Sequence, residues 1–353
     1  MLEAVGSKPP RLKNVLVRAT NWLGDAVMSL PAVRAIREAW PEAHLAVAAR
    51  PGLVDFYARE AGIDRVIPCP KPAGLGERFA FAAKMRVEGF DGAILLPNSF
   101  DAALMAWMAR IPVRIGYNRD GRGLLLTHAI AVPNAGEIPR HERFYYLELL
   151  RRAGVIERLP EVAAIRLSGA AKAMGGGVPV VGISPGAAYG NAKRWLPERF
   201  ADAGGQVARA LGGSVTIFGS AAERTLCEAV AEPLRTAGIE VRNLAGETTL
   251  GEFIDLAAAC RVFLTNDSGG MHIASALGVP TVAVFGATDD AATGPTGPLA
   301  RVVREPVDCA PCLLRECPID HRCMTRVSAA RVAETALELL EESTPAWTHE
   351  PKS

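Results

Sequence analysis

Short apolar runs alternate with stretches of helical periodicity along almost the whole chain, and this alternation constrains the fold more than any other feature. Strand-like runs that regularly alternate with amphipathic segments are typical of parallel sheets covered by helices on both faces. The pattern therefore predicts an α/β protein with two doubly wound, Rossmann-like domains. We expect the two domains to face each other across a cleft, with ligands at the carboxyl ends of the strands.

The apolar runs of the first half predict strands at Asn14–Arg18, His44–Ala49, Asp91–Leu96, Val113–Gly116 and His128–Val132. Helices are predicted between and after them at Pro31–Trp40, Glu77–Val87, Phe100–Arg110 and His141–Ala153. The second half predicts strands at Val180–Ile183, Ser214–Phe218, Val241–Leu244, Arg261–Leu264 and Thr281–Phe285. Its helices are predicted near Pro197, from Ala221, after a capping box of Thr249 and Glu252, and through Ile273–Leu277.

The predicted boundary between the two halves lies at residues 168–179. Three consecutive glycines at 175–177 offer no side chain to pack and give the backbone high freedom, which is typical of a linker. We therefore predict an N-terminal domain over residues 1–172 and a C-terminal domain over residues 178–353.

The composition excludes several classes of protein. The 353 residues carry 39 basic and 38 acidic side chains, so the overall charge gives no support for nucleic-acid binding. No apolar stretch approaches the roughly 18 residues of a membrane span, and the first residues lack the apolar core of a signal peptide. We expect a cytoplasmic protein in which any affinity for anions is local.

The stretch Leu264-Thr-Asn-Asp-Ser-Gly-Gly-Met-His272 joins a predicted strand to a predicted helix. Free backbone N–H groups at a helix N-terminus stabilise an anion, and two adjacent glycines let the backbone come close to a ligand. The segment therefore indicates a diphosphate site. The alternative is an ordinary helix cap followed by an incidental histidine.

Three further loops follow predicted strands. The turn Ala19–Asp25 carries one carboxylate and lacks the G-x-G-x-x-G pattern of nicotinamide and flavin sites. The loop Ser184–Trp195 ends in Lys193 and Arg194, which suit a phosphate but could equally be solvated charges. Glu223 opens a helix. Its carboxylate could accept hydrogen bonds from a ribose, or it could be present only because the helix dipole favours a negative charge there.

The cysteines form the other dense group. Seven cysteines in a chain of this length fit reduced thiols better than a disulfide framework. The C-x-x-C spacing suits tetrahedral zinc, but the short separations would make a cramped single site. A structural metal, a disulfide and a reduced loop therefore all stay open for the group Cys309, Cys312, Cys317 and Cys323, which includes His321 between its last two members.

The motifs of both halves together resemble glycosyltransferase family 9, over roughly residues 14–330. The resemblance is carried by Asn21-Trp-Leu-Gly-Asp25 with Ser29-Leu-Pro-Ala-Val-Arg34, by Pro185-Gly-Ala-Ala-Tyr-Gly-Asn-Ala-Lys-Arg-Trp195, and by Thr265-Asn-Asp-Ser-Gly-Gly-Met-His272. It implies the glycosyltransferase B architecture, with an ADP-heptose donor held mainly by the C-terminal domain. It also implies a lipopolysaccharide inner-core acceptor held by the N-terminal domain. Within the family, the motifs are most similar to the branch that adds heptose to an already heptosylated core.

The resemblance also assigns roles to individual residues. Asp25 matches the catalytic base, and Lys193 matches the lysine that binds the diphosphate and stabilises the leaving group. Glu223 aligns with a ribose-binding carboxylate in a less certain register. The complete predicted donor site comprises Ser184, Lys193, Glu223, Asp267, Ser268, Gly269, Gly270 and His272. No metal or other cofactor is expected to be required.

The acceptor implied by the resemblance is anionic and lipid-linked, so we expect cations in the N-terminal domain and peripheral contact with the inner membrane. The candidates are Arg114, Arg119, Arg122, Arg140 and Arg143, which could equally be solubilising surface charges. We expect the cysteine-rich loop to lie away from the chemistry. Other acceptor stages, a nucleotide-sugar epimerase and a non-catalytic nucleotide-sugar binding protein are the alternative functions.

Overall fold

The computed structural model describes residues 11–161, 165–167 and 177–343. The chain divides into two compact units, Met1–Gly169 and Ala170–Ser353, which we call unit 1 and unit 2. Each contains its own parallel sheet, so the α/β class predicted from the alternating pattern is confirmed. The predicted linker lies outside the described residues up to position 176.

Unit 1 is built on a six-stranded parallel sheet in the order β3-β2-β1-β4-β5-β6. Its strands are β1 (Asn14–Arg18), β2 (His44–Ala49), β3 (Arg65–Pro68), β4 (Gly92–Leu95), β5 (Val113–Tyr117) and β6 (His128–Ile130). Its helices are α1 (Leu23–Ala39), α2 (Val54–Ala58), α3 (Leu75–Val87), α4 (Phe100–Met108) and α5 (Glu142–Arg152). The central strands β1 and β4 are buried and apolar along most of their length because helices cover both faces of such a sheet.

Unit 2 repeats this plan with the order β12-β11-β10-β7-β8-β9. Its strands are β7 (Val180–Ser184), β8 (Ser214–Ile217), β9 (Val241–Asn243), β10 (Val262–Asn266), β11 (Thr281–Val284) and β12 (Ala300–Val303). Its helices are α6 (Pro197–Leu211), α7 (Arg224–Thr236), α8 (Leu250–Ala258), α9 (Gly269–Ala276), α10 (Asp290–Thr293), α11 (Arg322–Thr325) and α12 (Ala329–Glu342).

The strand order reverses direction at one point in each sheet. In unit 1 this point lies between β1 and β4, and in unit 2 it lies between β7 and β10. A crevice forms at the carboxyl ends of the strands at such a point, because the connections on its two sides leave in opposite directions. The segments after β1, β7 and β10, which carry Asp25, Lys193 and Asp267, begin at these positions.

The first helix differs from its prediction. The spacing of Val33, Ile36 and Trp40 on one face predicts a helix over Pro31–Trp40. Instead, α1 begins at Leu23 and contains Pro31 in its interior. The missing proline N–H removes one helical hydrogen bond, and the apolar face of α1 is buried against α5 despite that loss. Asp25 consequently lies in the first turn of this helix.

Two strands were absent from the prediction. Both β3 and β12 contain only four residues, and neither is fully buried. They pair with β2 and β11 at an edge of each sheet. Short edge strands lack the continuous apolar run by which the central strands are recognised. Across the described part of the chain, no helix combines the length and the apolar character needed to cross a membrane.

Candidate functional site

A lysine–aspartate ion pair lies at the carboxyl ends of β7 and β10. The ammonium of Lys193, in the loop after β7, donates to Oδ2 of Asp267 at 2.6 Å. The hydroxyl of Thr288, which follows β11, donates to the same oxygen at 2.5 Å. The pair is nearly buried, with 12% of the Lys193 side chain and 5% of the Asp267 side chain exposed. Because an ammonium has three N–H donors, Lys193 can bind a phosphate while it keeps this contact.

The loop that carries Lys193 is tied to β10 at both of its ends. Asn266, the last residue of β10, accepts a hydrogen bond from the backbone N–H of Trp195 at 2.9 Å. Its side-chain amide donates to the carbonyl of Pro185 at 2.7 Å. Sequence reasoning missed Asn266 and Thr288. The available signals were a polar side chain at the end of a fully buried strand and a hydroxyl just beyond the next strand.

The N-terminus of α9 lies beside the end of β7. Ser268 caps the helix by accepting a hydrogen bond from the backbone N–H of Met271 at 3.5 Å. A Cβ atom at Gly270 would lie 3.1 Å from Oγ of Ser184, so glycine permits this close approach. The first N–H groups of the helix, including that of Gly269, have no partner within it and favour an anion. The structure thus brings the predicted diphosphate-binding residues of β7 and α9 together.

His272 lies within α9 and is 5% exposed. Its backbone N–H donates to the carbonyl of Ser268 at 3.4 Å, as part of the first turn. Because the side chain is buried, it packs in the interior of unit 2. Its predicted contact with a donor stays a prediction.

Glu223 caps a helix and also reaches the loop after β7. Its Oε2 accepts hydrogen bonds from the backbone N–H and the hydroxyl of Ser220, at 2.9 and 2.8 Å, as in a capping box. Its Oε1 lies 3.9 Å from Nη2 of Arg194 and occupies the space that a Cβ at Gly186 would need. The carboxylate therefore reaches the loop after β7, at Gly186 and Arg194. Its predicted ribose contact stays a prediction.

The cysteine segment, residues 309–323, packs directly on the Lys193 loop, so the expectation that it lies away from the site is wrong. The backbone N–H of Ala192 donates to the carbonyl of Arg315 at 2.9 Å. Nε2 of His321 lies 3.0 Å from the carbonyl of Ala192, and must be the donor because a carbonyl only accepts. The hydroxyl of Tyr189 donates to the carbonyl of Leu313 at 2.7 Å. Such contacts between distant segments leave no pattern in the sequence.

The four cysteines of this segment are free thiols. With His321, they line a cavity of about 70 Å³. Burial raises the pKa of Cys323 to about 11, and the neighbouring thiols add to this shift. Among the described residues, no group of three or more His, Cys, Asp or Glu side chains is arranged to hold a metal ion.

In unit 1, Asp25 follows β1 and lies half-buried in the first turn of α1. The charge of Asp25 acts on the buried tyrosines Tyr57 and Tyr146 and on the carboxyl group of Glu142. Burial raises the pKa of Tyr57 to about 12, and Asp25 adds to that rise. Burial likewise raises the pKa of Glu142, again with a contribution from Asp25. The carboxylate of Asp25 thus lies in the first turn of α1, near side chains that are largely shielded from water.

The candidate arginines fall into two groups. Arg122 is fully buried, and its guanidinium donates to the carbonyls of Tyr117 at 2.9 Å and Ser99 at 3.3 Å. Burial lowers its pKa to about 10. The acceptor role predicted for Arg122 does not fit this geometry, because its charge is enclosed by backbone carbonyls. The sequence shows the charge of an arginine but not its burial.

The remaining arginines differ in exposure. Nε of Arg114 donates to the carbonyl of Leu125 at 2.7 Å, which ties part of this guanidinium to its own unit. Arg143 lies 4.9 Å above the ring of Phe144 and is partly buried. Arg119 and Arg140 are exposed. The acceptor role stays a prediction, and Arg119 and Arg140 fit it best because an external anion can reach them.

We expect the Arg122→Met substitution to lower the free energy of unfolding by about 3 kcal/mol, because several buried carbonyls would lose their donor. Urea unfolding monitored by circular dichroism measures this loss. The matched control is Arg119→Met in the same loop, where an exposed side chain should matter by less than about 0.5 kcal/mol. Equal stability of the two variants would contradict the structural role.

The chain matches a protein family and is similar in sequence to known proteins. The family model described as "Glycosyltransferase family 9 (heptosyltransferase)" matches residues 78–322. The lipopolysaccharide heptosyltransferase 2 of Salmonella typhimurium is 33% identical over 310 residues, covering 82% of this chain and 87% of that protein. The lipopolysaccharide heptosyltransferase 1 of Pseudomonas aeruginosa is 32% identical over 138 residues, covering 35% of this chain and 37% of that protein.

The chain is also similar to a solved heptosyltransferase structure. The E. coli ADP-heptose lipopolysaccharide heptosyltransferase II is similar with a TM-score of 0.77 and 28% sequence identity. The similarity covers 93% of this chain and 99% of that one. The match thus includes both α/β units.

Proposed function

Because the chain belongs to glycosyltransferase family 9, we propose that it is an inverting heptosyltransferase that uses ADP-heptose. It transfers L-glycero-D-manno-heptose to the heptosylated inner core of lipopolysaccharide. The observation that carries this proposal is the Lys193–Asp267 pair beside the N-terminus of α9, because this arrangement suits a diphosphate. The choice of acceptor stage is supported by the extent of the matches, 82% of the chain for a heptosyltransferase 2 and 35% for a heptosyltransferase 1.

Unit 2 holds the donor in this proposal. The ammonium of Lys193 and the free N–H groups at Gly269 and Gly270 bind the diphosphate, while Ser184 and Ser268 offer hydroxyls beside it. Glu223 binds the ribose through the oxygen that faces the loop after β7. The donor contacts of Asp267 and His272 belong to the same proposal.

Asp25 of unit 1 serves as the general base. The acceptor hydroxyl gives its proton to the Asp25 carboxylate while its oxygen forms a bond to the anomeric carbon of the heptose. The bond between that carbon and the diphosphate oxygen breaks, and ADP leaves with the electron pair. Attack opposite the leaving group inverts the anomeric centre. Lys193 and the α9 N–H groups stabilise the charge that develops on ADP, so we propose that no metal is required.

The acceptor is held by unit 1, with Arg119 and Arg140 meeting its phosphates and carboxylates. Since that acceptor is linked to lipid, we propose that the protein works at the cytoplasmic face of the inner membrane through peripheral contact. The near balance of 39 basic and 38 acidic residues gives no support for a nucleic-acid partner.

ADP release from ADP-heptose, measured with acceptors that carry zero, one or two heptoses, tests the proposed function. We expect release to be fastest with heptosyl-Kdo2-lipid A, which carries one heptose. Faster release with the acceptor that carries none or two would indicate the first or a later transfer stage. Conversion of the donor without any acceptor would indicate an epimerase, and binding without turnover would indicate a sensor.

The donor site also predicts a preference among nucleotides. We expect the full chain to bind ADP roughly 10-fold more tightly than UDP or GDP, because the proposed site must recognise adenine as well as a diphosphate. Isothermal titration calorimetry with the three diphosphates measures this difference directly. AMP is the control for the contribution of the second phosphate. Equal or tighter binding of UDP or GDP would contradict the adenine assignment.

A further inference from the structure

Two cationic side chains lie over the ring of Tyr189, and they come from segments that are distant in the chain. Nζ of Lys193 lies 4.9 Å from the ring centroid, and the guanidinium carbon of Arg315 lies 5.2 Å from it. Cations are attracted to the face of an aromatic ring, so Tyr189 holds both side chains near the end of β7. Its hydroxyl donates to the carbonyl of Leu313, which fixes the ring to the cysteine segment.

The charges of these two cations are balanced differently. Lys193 is paired with Asp267, as described above. Arg315 is exposed, and among the residues that the structure describes it forms no ion pair. Two like charges on one ring repel each other, and an anion bound by both would offset that repulsion. The guanidinium also offers paired N–H donors that match two oxygens of a phosphate.

The backbone of Arg315 is held firmly against the Lys193 loop. Its carbonyl accepts from the backbone N–H of Ala192 at 2.9 Å. The same carbonyl would lie 2.2 Å from a Cβ atom at Gly190, so only glycine allows this approach. The hydrogen bond from His321 to the carbonyl of Ala192 adds a second tie between the segments. The position of Arg315 beside Lys193 is therefore set by the fold.

We propose that Arg315 is a second diphosphate-binding cation of the donor site, presented by the cysteine segment on the ring of Tyr189. The inference rests on the proposed function, because it concerns the same nucleoside diphosphate. It assigns a role to the cysteine segment that needs no metal and no disulfide: the segment holds a cation beside the leaving group. On this account, Arg315 and Lys193 share the negative charge that ADP gains as it departs.

Calorimetry with ADP and adenosine tests the proposal on the full chain. We expect Arg315→Ala to weaken ADP binding roughly 10-fold, since charge-assisted hydrogen bonds to a phosphate are lost. Adenosine, which has no phosphate, should bind equally to the variant and the parent protein. Arg315→Lys should restore part of the ADP affinity because it keeps the charge but not the paired donors.

Two comparisons make the result decisive. The matched control is Arg322→Ala in the same segment, where the exposed guanidinium is paired with Asp320 at 2.9 Å and should not affect ADP binding. Tyr189→Leu should weaken ADP binding as Arg315→Ala does, whereas Tyr189→Phe, which keeps the ring, should bind more tightly than Tyr189→Leu. ADP binding that is unchanged in Arg315→Ala overturns the inference while the proposed function stands. A parent protein that does not prefer ADP to adenosine instead overturns the proposed donor site itself.

Discussion

The Asp25→Asn substitution is expected to lower kcat by roughly 10²- to 10⁴-fold, because an amide of the same size cannot take the proton from the acceptor hydroxyl. The affinity for ADP should change by less than about twofold, since we place the diphosphate site in unit 2. Steady-state release of ADP in the presence of acceptor measures the first quantity, and calorimetry measures the second. A loss confined to kcat distinguishes a base from a residue that binds the donor.

Asp55→Asn is the matched control for this experiment. Asp55 also lies in the first turn of a helix of unit 1, α2, and its side chain is exposed. Both substitutions remove a carboxylate that interacts favourably with the dipole of its helix. The loss should lower the free energy of unfolding by about 0.3 to 1 kcal/mol in each case. Only the Asp25 substitution should reduce turnover. If the Asp25→Asn variant folds and keeps most of its kcat, the carboxylate has only this stabilising role and the base lies elsewhere.

The ends of the central strands could be predicted from the sequence because the information there is local. The predicted strand Arg261–Leu264 corresponds to β10, which continues for two residues to Asn266, and the small and polar residues that follow correctly indicated the change from strand to helix α9. The same logic located Asp25 and Ser184. The predicted helix began too late, at Pro31, because a proline at the start of a helix and one tolerated in its interior leave the same local pattern.

The interactions that complete the site could not be predicted in this way. Thr288 reaches Asp267 across 21 residues of sequence, and Tyr189 reaches Leu313 across 124. Such pairs arise from the order in which strands lie in the sheet and from the path of long loops. The burial of Arg122 is similar, because it depends on the carbonyl of Tyr117 at the end of β5 and on two carbonyls of the loop after β4. Residue type and spacing do not encode these distances.

The Lys193→Ala substitution is expected to reduce kcat/KM roughly 10²- to 10³-fold and to weaken ADP binding by about 10-fold, because the leaving group loses its main cation. It should also lower the free energy of unfolding by about 3 kcal/mol, since the carboxylate of Asp267 is nearly buried and would lose its ion pair. Initial rates, calorimetry and urea unfolding measure the three effects. Lys84→Ala, which removes an exposed lysine from α3, is the control and should change none of them.

A double variant separates the two roles of Lys193. Removing Asp267 together with Lys193 eliminates the uncompensated buried charge, so Lys193→Ala/Asp267→Ala should be more stable than Lys193→Ala alone. If Lys193 only neutralised Asp267, the double variant would regain stability and would bind ADP as tightly as Asp267→Ala alone. If Lys193 binds the diphosphate, as we propose, stability should recover while ADP affinity and turnover stay low. Because Asp267 also belongs to the proposed donor site, the reference is Asp267→Ala alone. A double variant that binds ADP less tightly than Asp267→Ala shows that Lys193 contacts the diphosphate, and equal affinities show that the ion pair is only a structural contact.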